Sequence, residues 1–300
     1  MSTRKCALLV GCNYSKDPVN RLQGCINDVV NMSQTLVDAF DYDLNNIFIL
    51  RDDSSVATSM PTRVNILTAL SALIAKSANL DEIWFHYSGH GSQVKDTNGD
   101  ELDVLDEVIV PTDFRTAGVV LDDDIFAIIQ KSKCKTVLLF DSCHSGSICD
   151  MQWSYQVTGQ TGKWIRTSNK AIASNPNIFC FSGCKDTQTS ADAYDPFQVQ
   201  SVGAFTCAFL HALRLNHMNV DIYKLYVDVC TVLKNAGFSQ IPVFSCSSPN
   251  SIYTFLRTSY RGIVRLNGGG AVLSTPIQMN ASTKSSNTIV PRVSMKMVFF

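Results

Sequence analysis

Four residues with chemical potential stand side by side in VLLFDSCHSG, Val137 to Gly146. An apolar run leads directly into Asp141, Ser142, Cys143 and His144. A second run, IWFHYSGHG (83–91), delivers His86, Tyr87, Ser88 and His90 in the same way. In open parallel sheets, ligands bind beyond the carboxyl ends of the strands. If these two runs are neighbouring strands, Cys143 and His90 face each other at that edge. The chemistry this predicts is thiol catalysis. A free thiol is only a few per cent thiolate at neutral pH. An adjacent imidazole takes its proton and returns it to the leaving amine, which is worth about 10²–10⁴-fold in rate. Gly89 and Gly91 flank the histidine and permit a tight turn. The N–H groups of Gly89 and Cys143 are the expected oxyanion donors. His144 is expected to face away from the thiol, because consecutive residues in an extended segment point to opposite sides. His86 still lies within its strand and is expected to pack or hydrogen-bond, and Ser142 is assigned no chemistry. A cysteine-phosphatase loop is excluded, since no Arg closes Cys143–Cys149. A serine-hydrolase elbow is excluded because Phe140 and Asp141 precede Ser142 where G-x-S-x-G requires glycine.

The elements that must position these residues alternate in type. Strands are predicted at 5–12, 46–50, 82–87, 135–141, 177–182 and 240–246. Helices are predicted at 24–40, 61–76, 122–131, 203–215 and 220–235. Val64, Leu67, Leu70 and Leu73, for example, recur at helical spacing behind Pro61. Such alternation predicts an α/β fold: a six-stranded, mostly parallel sheet with helices on both faces. Pro242 suggests an edge position for the last strand. Residues 147–175 and 184–202 read as long, turn-rich segments, which in compact domains are usually functional or mobile. From residue 266 the composition shifts to Gly, Ser, Thr and Asn. The predicted organisation is therefore one domain over 1–265 and a weakly packed tail over 266–300, whose closing KMVFF could dock as a strand.

Bulk properties narrow the class. The 300 residues are 45% hydrophobic with a net charge of -1. No global basic field exists to hold nucleic acid or an anionic membrane. No stretch approaches the roughly 20 apolar residues of a membrane span, and the run 7–10 is too short for a signal peptide. Eleven cysteines without a CxxC pair or zinc spacing read as reduced thiols of a cytoplasmic protein. Acidic residues crowd into 96–124, with DTNGDELDVLDE (96–107) and LDDD (121–124). Hard oxygen clusters suit Ca²⁺, although Gly99 stands at the fourth place after Asp96 and not where an EF-hand needs it. Most such runs are solvated surface, and the residues alone leave that reading open.

HYSGHG (86–91) and DSCHSG (141–146) together resemble the type I metacaspases, cysteine peptidases of the caspase-like fold. The resemblance extends to ALLVGCNY (7–14), GCINDV (24–29), DEVIVPTDF (106–114), SGCKDTQTSADA (182–193), GAFTCAFLHAL (203–213) and QIPVFSCS (240–247). It implies His90 as base and Cys143 as nucleophile, in a large-subunit-like part over about 1–175 and a small-subunit-like part over about 176–265. It implies cleavage of protein or peptide substrates after Arg or Lys. The matching pocket positions are Asp28 and Asp141, supported by Cys25 and Ser88. Two carboxylates in a partly desolvated pocket repel each other, and a substrate cation offsets that repulsion. The resemblance also implies a calcium site at Asp106, Asp122, Asp123 and Asp150, and a monomeric state. Lys163, Arg166 and Lys170 are candidate self-cleavage sites, and equally ordinary exposed charges. The competing expectation is a caspase-like binding scaffold in which proteolysis is incidental.

Overall fold

A computed structural model of the chain describes residues 4–95, 105–142, 148–149, 151–158, 161–167, 175–183, 192–195, 200–258, 263–264 and 272–273. In chain order the first half contains β1 (Lys5–Gly11), α1 (Cys25–Phe40), β2 (Ile47–Arg51), α2 (Arg63–Ala75), β3 (Glu82–Ser88), β4 (Gly91–Lys95), β5 (Leu105–Ile109), α3 (Phe114–Ala117), β6 (Val120–Leu121), α4 (Asp122–Ile129) and β7 (Lys135–Asp141). The second half contains β8 (Trp153–Thr158), β9 (Thr161–Arg166), β10 (Ile178–Ser182), β11 (Asp192–Asp195), β12 (Gln200–Gly203), α5 (Ala204–Leu215), β13 (Val220–Asp221), α6 (Ile222–Asn235), β14 (Val243–Cys246) and β15 (Thr254–Phe255).

One sheet organises the molecule, in the order β2-β1-β3-β7-β10-β14-β8-β9. The pairs from β2 through β10 are parallel. Those from β10 through β9 are antiparallel. The six predicted strands are thus present and adjacent. The expected count of six is corrected to eight by the β8–β9 hairpin, which lies in the segment expected to be loop. The expected edge position of the last strand is corrected with it. Pro242 stands just before β14 and costs no ladder bond, so β14 pairs with β10 on one side and β8 on the other. The Pro242 carbonyl instead accepts the Tyr226 hydroxyl at 3.0 Å.

Period-two alternation divides the core. Ala7, Leu9, Trp84, Val137, Leu139, Phe179 and Phe181 pack on the side of α1, α5 and α6. Leu8, Val10, Phe85, Leu138, Phe140 and Cys180 pack on the side of α2 and α4. A strand buried on both faces reads as a continuous apolar run, which is why β1, β3, β7 and β10 stand out in the sequence. The helices have local causes too. Thr62 caps α2 by accepting the Asn65 N–H at 3.3 Å. Asp221 caps α6 by accepting from Tyr223 and Lys224. Asp41 ends α1 in the left-handed region, its N–H bonded to Leu36.

This alternation decides where the chemistry falls. His86 and Ser88 share the parity of Trp84, and Asp141 that of Leu139, so all three side chains belong to the face covered by α1 and α5. Ser88 and Asp141 are register partners across β3 and β7.

Candidate active site

Asp28 and Asp141 come together at the carboxyl end of β3 and β7. Asp28 lies near the start of α1 and is fully buried. Its carboxylate accepts the Ser88 hydroxyl at 2.6 Å and the Gly203 N–H at 2.9 and 3.0 Å. Asp141, 4% exposed, accepts the Thr206 N–H at 2.8 Å. Both carboxylates therefore lie at the amino end of α5, where exposed N–H groups and the helix dipole favour negative charge. Cys25, also buried, is the first residue of α1, one turn before Asp28. Asp28, Ser88 and Asp141, three of the four expected pocket residues, thus come from three elements that the topology brings to one place.

Gly203 joins the two carboxylates and was not among the expected pocket residues. A Cβ there would stand 2.2 Å from Asp141 Oδ2 and 2.7 Å from Asp28 Oδ2. No side chain fits between them. The signal in the sequence is glycine at a helix N-cap in place of the usual Ser, Thr or Asp. His86 lies behind this pocket. It is fully buried, with Nε2 3.2 Å from Thr206 Oγ1. Burial pushes its pKa from 6.5 down to about 3, so the imidazole is neutral.

His90 follows β3 directly and is partly exposed. Its Nε2 lies 2.7 Å from the Asn20 carbonyl oxygen. A carbonyl only accepts, so Nε2 carries the proton and Nδ1 is the basic nitrogen of the neutral ring. The Gly89 N–H donates to the Asp141 carbonyl at 3.2 Å, extending the β3–β7 ladder. An oxyanion role for Gly89 therefore requires that bond to be given up or shared. Cys143 and His144 lie outside the described residues.

The acidic segment is divided. Asp106 and Glu107 in β5 and Asp122 at the start of α4 are all buried. Asp123 follows in the same turn, its N–H donating to Asp122 Oδ1 at 2.9 Å. Asp124 pairs with Arg63 at 2.8 Å. Buried carboxylates of this kind suit a hard cation in donor type. Among the described residues no three His, Cys, Asp or Glu side chains form a group that could hold a metal. Asp150 and most of 96–107 lie outside the described residues. Of the candidate cleavage sites, Lys163 and Arg166 are exposed on β9, paired with Gln156 and Trp153 of β8. Lys170 lies outside the described residues.

The fold is that of the caspase-like proteins. Solved structures agree on the fold. Caspase-1 from Spodoptera frugiperda superposes with a TM-score of 0.55 at 12% identity, covering 83% of this chain and 88% of that one. Protein GSU0716 from Geobacter sulfurreducens superposes with a TM-score of 0.56 at 21% identity, covering 83% and 95%. Residues 5–152 match the family described as metacaspase, peptidase C14 domain. Metacaspase-1 of Scheffersomyces stipitis is 35% identical over 84% of this chain and 72% of its own length. Metacaspase-1 of Schizosaccharomyces pombe is 35% identical over 81% and 67%. The chain belongs to the metacaspases, a family of cysteine peptidases.

Proposed function

We propose that this metacaspase is a calcium-dependent endopeptidase that cuts after Arg or Lys, with Cys143 as nucleophile and His90 as its base and acid. The observation that carries the reading is the convergence of Asp28 and Asp141 on Gly203, beside Ser88 and two residues short of both Cys143 and His90 in their own segments. A guanidinium or ammonium entering there gains charge-assisted bonds in a desolvated site. The bound cation sets the next peptide carbonyl within reach of the thiol. His90 Nδ1 takes the Cys143 proton, and the thiolate attacks the carbonyl carbon. The imidazolium returns that proton to the leaving amine as the C–N bond breaks. Water then hydrolyses the thioester, with His90 again as base, and restores the free thiol.

Calcium would be held by Asp106, Asp122, Asp123 and Asp150. There it would neutralise carboxylates, the buried Asp106 and Asp122 among them, and would couple β5 and α4 to the chain just past the nucleophile. Self-cleavage at Lys163 or Arg166 needs β9 to peel from β8, since a peptidase binds its substrate extended and unpaired. A monomer fits the topology, because β8 covers the free edge of β14. No helix among the described residues is long and apolar enough to cross a membrane. The nine described cysteines are free thiols, in keeping with a cytoplasmic setting.

The test is hydrolysis of fluorogenic peptides ending in Arg, Lys or Asp, with calcium and with chelator, for wild type, Cys143→Ala, His90→Ala and His144→Ala. Turnover of Arg and Lys peptides that needs calcium, Cys143 and His90 is the expected result. Preference for Asp overturns the pocket, indifference to calcium overturns the switch, and absence of wild-type turnover favours the scaffold.

A further inference from the structure

We infer that Tyr14 is a positioning residue for His90: its ring sets the plane of the imidazole, and its hydroxyl fixes the backbone that carries it. The inference rests on the reading of His90 as the catalytic base. Tyr14 is 3% exposed and sits in the left-handed region at φ 52°. A bulky side chain keeps that conformation only where its surroundings over-determine it. Here they do. One buried carboxylate, Asp52, accepts the Asn13 N–H and the Ser15 N–H, each at 2.8 Å. The two amides flanking Tyr14 are thereby clasped, and the left-handed residue between them is held.

The held residue meets His90 in three ways. The rings lie 4.7 Å apart between centroids, inclined by 31°. The His90 N–H donates to the Tyr14 hydroxyl oxygen at 3.0 Å. The Tyr14 hydroxyl proton goes to the Val110 carbonyl at 2.6 Å. A second phenol completes the frame, since the Tyr87 hydroxyl donates to the His90 carbonyl at 2.8 Å and accepts the Val110 N–H at 3.2 Å. The two hydroxyls are 3.2 Å apart. Both backbone polar groups of His90 are thus bound by tyrosines. Asn20, whose carbonyl fixes the ring's tautomer, belongs to the same loop as Tyr14. That loop is internally tied, with Asp17 N–H bonded to the Tyr14 carbonyl at 2.8 Å and Asn20 N–H to the Asp17 carbonyl at 3.2 Å. Ring face and tautomer of His90 are therefore set from residues 14–20, and its backbone is held by Tyr14, Tyr87 and the Val110 N–H, which reaches the His90 carbonyl at 3.1 Å. Burial raises the pKa of both phenols well above its ordinary value, so both remain hydroxyl donors.

The conservative variant Tyr14→Phe keeps the stacked ring and removes the oxygen; Tyr14→Leu removes both. Each is measured with full-length enzyme on an Arg peptide, with active sites counted by an arginyl chloromethyl ketone. Loss of the one hydrogen bond that the Tyr14 hydroxyl makes to His90 itself predicts a kcat per titrated site about fivefold lower for Tyr14→Phe. Displacement of the base by an ångström predicts about a 100-fold loss for Tyr14→Leu. KM should stay within about twofold in both, because Tyr14 packs on the α2 and α4 face of the sheet while the Asp28 and Asp141 carboxylates lie on the α1 and α5 face. The pH dependence of Cys143 alkylation by iodoacetamide should shift in Tyr14→Leu toward that of His90→Ala. A purely structural tyrosine would lower the thermal midpoint and leave kcat per site and the alkylation profile at wild-type values; that result overturns the inference. If His90→Ala itself retains full turnover, the base assignment fails instead, and the two failures are told apart in one series.

Discussion

The two ends of β3 both bury carboxylates, and they neutralise them differently. At the amino end, Glu82 is 6% exposed. It accepts the Tyr42 hydroxyl at 2.8 Å and the Tyr253 hydroxyl at 3.2 Å. Lys5 lies 3.7 Å away on one neighbouring strand and Lys135 4.0 Å away on the other. The same lysines lie over the faces of Tyr42 and Tyr253. This end carries its own cations and is tied across β1, β3 and β7. At the carboxyl end, Asp28 and Asp141 are held by a hydroxyl and by N–H groups of α5. Dipoles stabilise negative charge without cancelling it. The difference lies in what faces each carboxylate: phenols and lysines around Glu82 at one end of β3, a hydroxyl and backbone N–H groups around Asp28 of α1 and Asp141 of β7 at the other. The first is faced by lysines of its own sheet; under the proposed function the second would receive the substrate's cation.

The largest way to break that comparison is Gly203→Ala. The added methyl enters between Asp141 Oδ2 and Asp28 Oδ2 and forces them apart. A displacement of about 1 Å in a positioning group can cost roughly 100-fold, and kcat/KM for Arg peptides should fall by at least that. Unchanged kcat/KM would mean that the carboxylates do not receive the substrate. Glu82→Gln is the reciprocal change, with a smaller effect of a different kind. Losing the charge that two phenols and two lysines face should lower unfolding stability by about 2 kcal/mol, read by urea denaturation. Turnover should stay within about twofold. A large catalytic loss from Glu82→Gln would erase the distinction between the two ends.

How far these features are legible in the sequence follows from what the sequence encodes locally. β1, β3, β7 and β10 are apolar throughout and declare themselves. The β8–β9 hairpin does not. Its pattern WSYQVTGQTGKWIR alternates aromatic and polar residues about a TGQTG turn, a period-two signal diluted by Gly and Thr. Its aromatic face packs Tyr155 and Trp164 on Phe244 and Tyr223, partners that the hairpin finds only after α6 and β14 are in place. Pocket residues Asp28, Ser88 and Asp141 are named by the family resemblance, while their mutual geometry is tertiary. Gly203 is invisible as a pocket residue until α5 is docked, since its role depends on two carboxylates remote in sequence. Tyr14 likewise lies just past the predicted strand 5–12 with no local signal of its role, because its left-handed backbone is held by Asp52 on another loop.

The smallest effect sharpens the comparison most, because it asks whether His86 supplies the carboxyl end with a cation. His86 is the candidate: its Nε2 contacts Thr206, whose N–H binds Asp141. A protonated His86 would serve that end as Lys5 serves Glu82. Burial holds its pKa at about 3 against an ordinary 6.5. The unfolded chain therefore takes up the proton first as pH falls. His86 contributes its full stability above pH 6.5 and loses it progressively down to pH 3. Between pH 6.5 and 5.5 the loss should amount to about 1 kcal/mol. His86→Gln should flatten the stability–pH slope over that interval, whatever it does to the absolute level. If the slope is unchanged, or stability rises as the pH drops, His86 is charged in the folded protein. The two ends of the sheet would then neutralise their carboxylates in the same way, and the argument for a substrate cation would lose its ground.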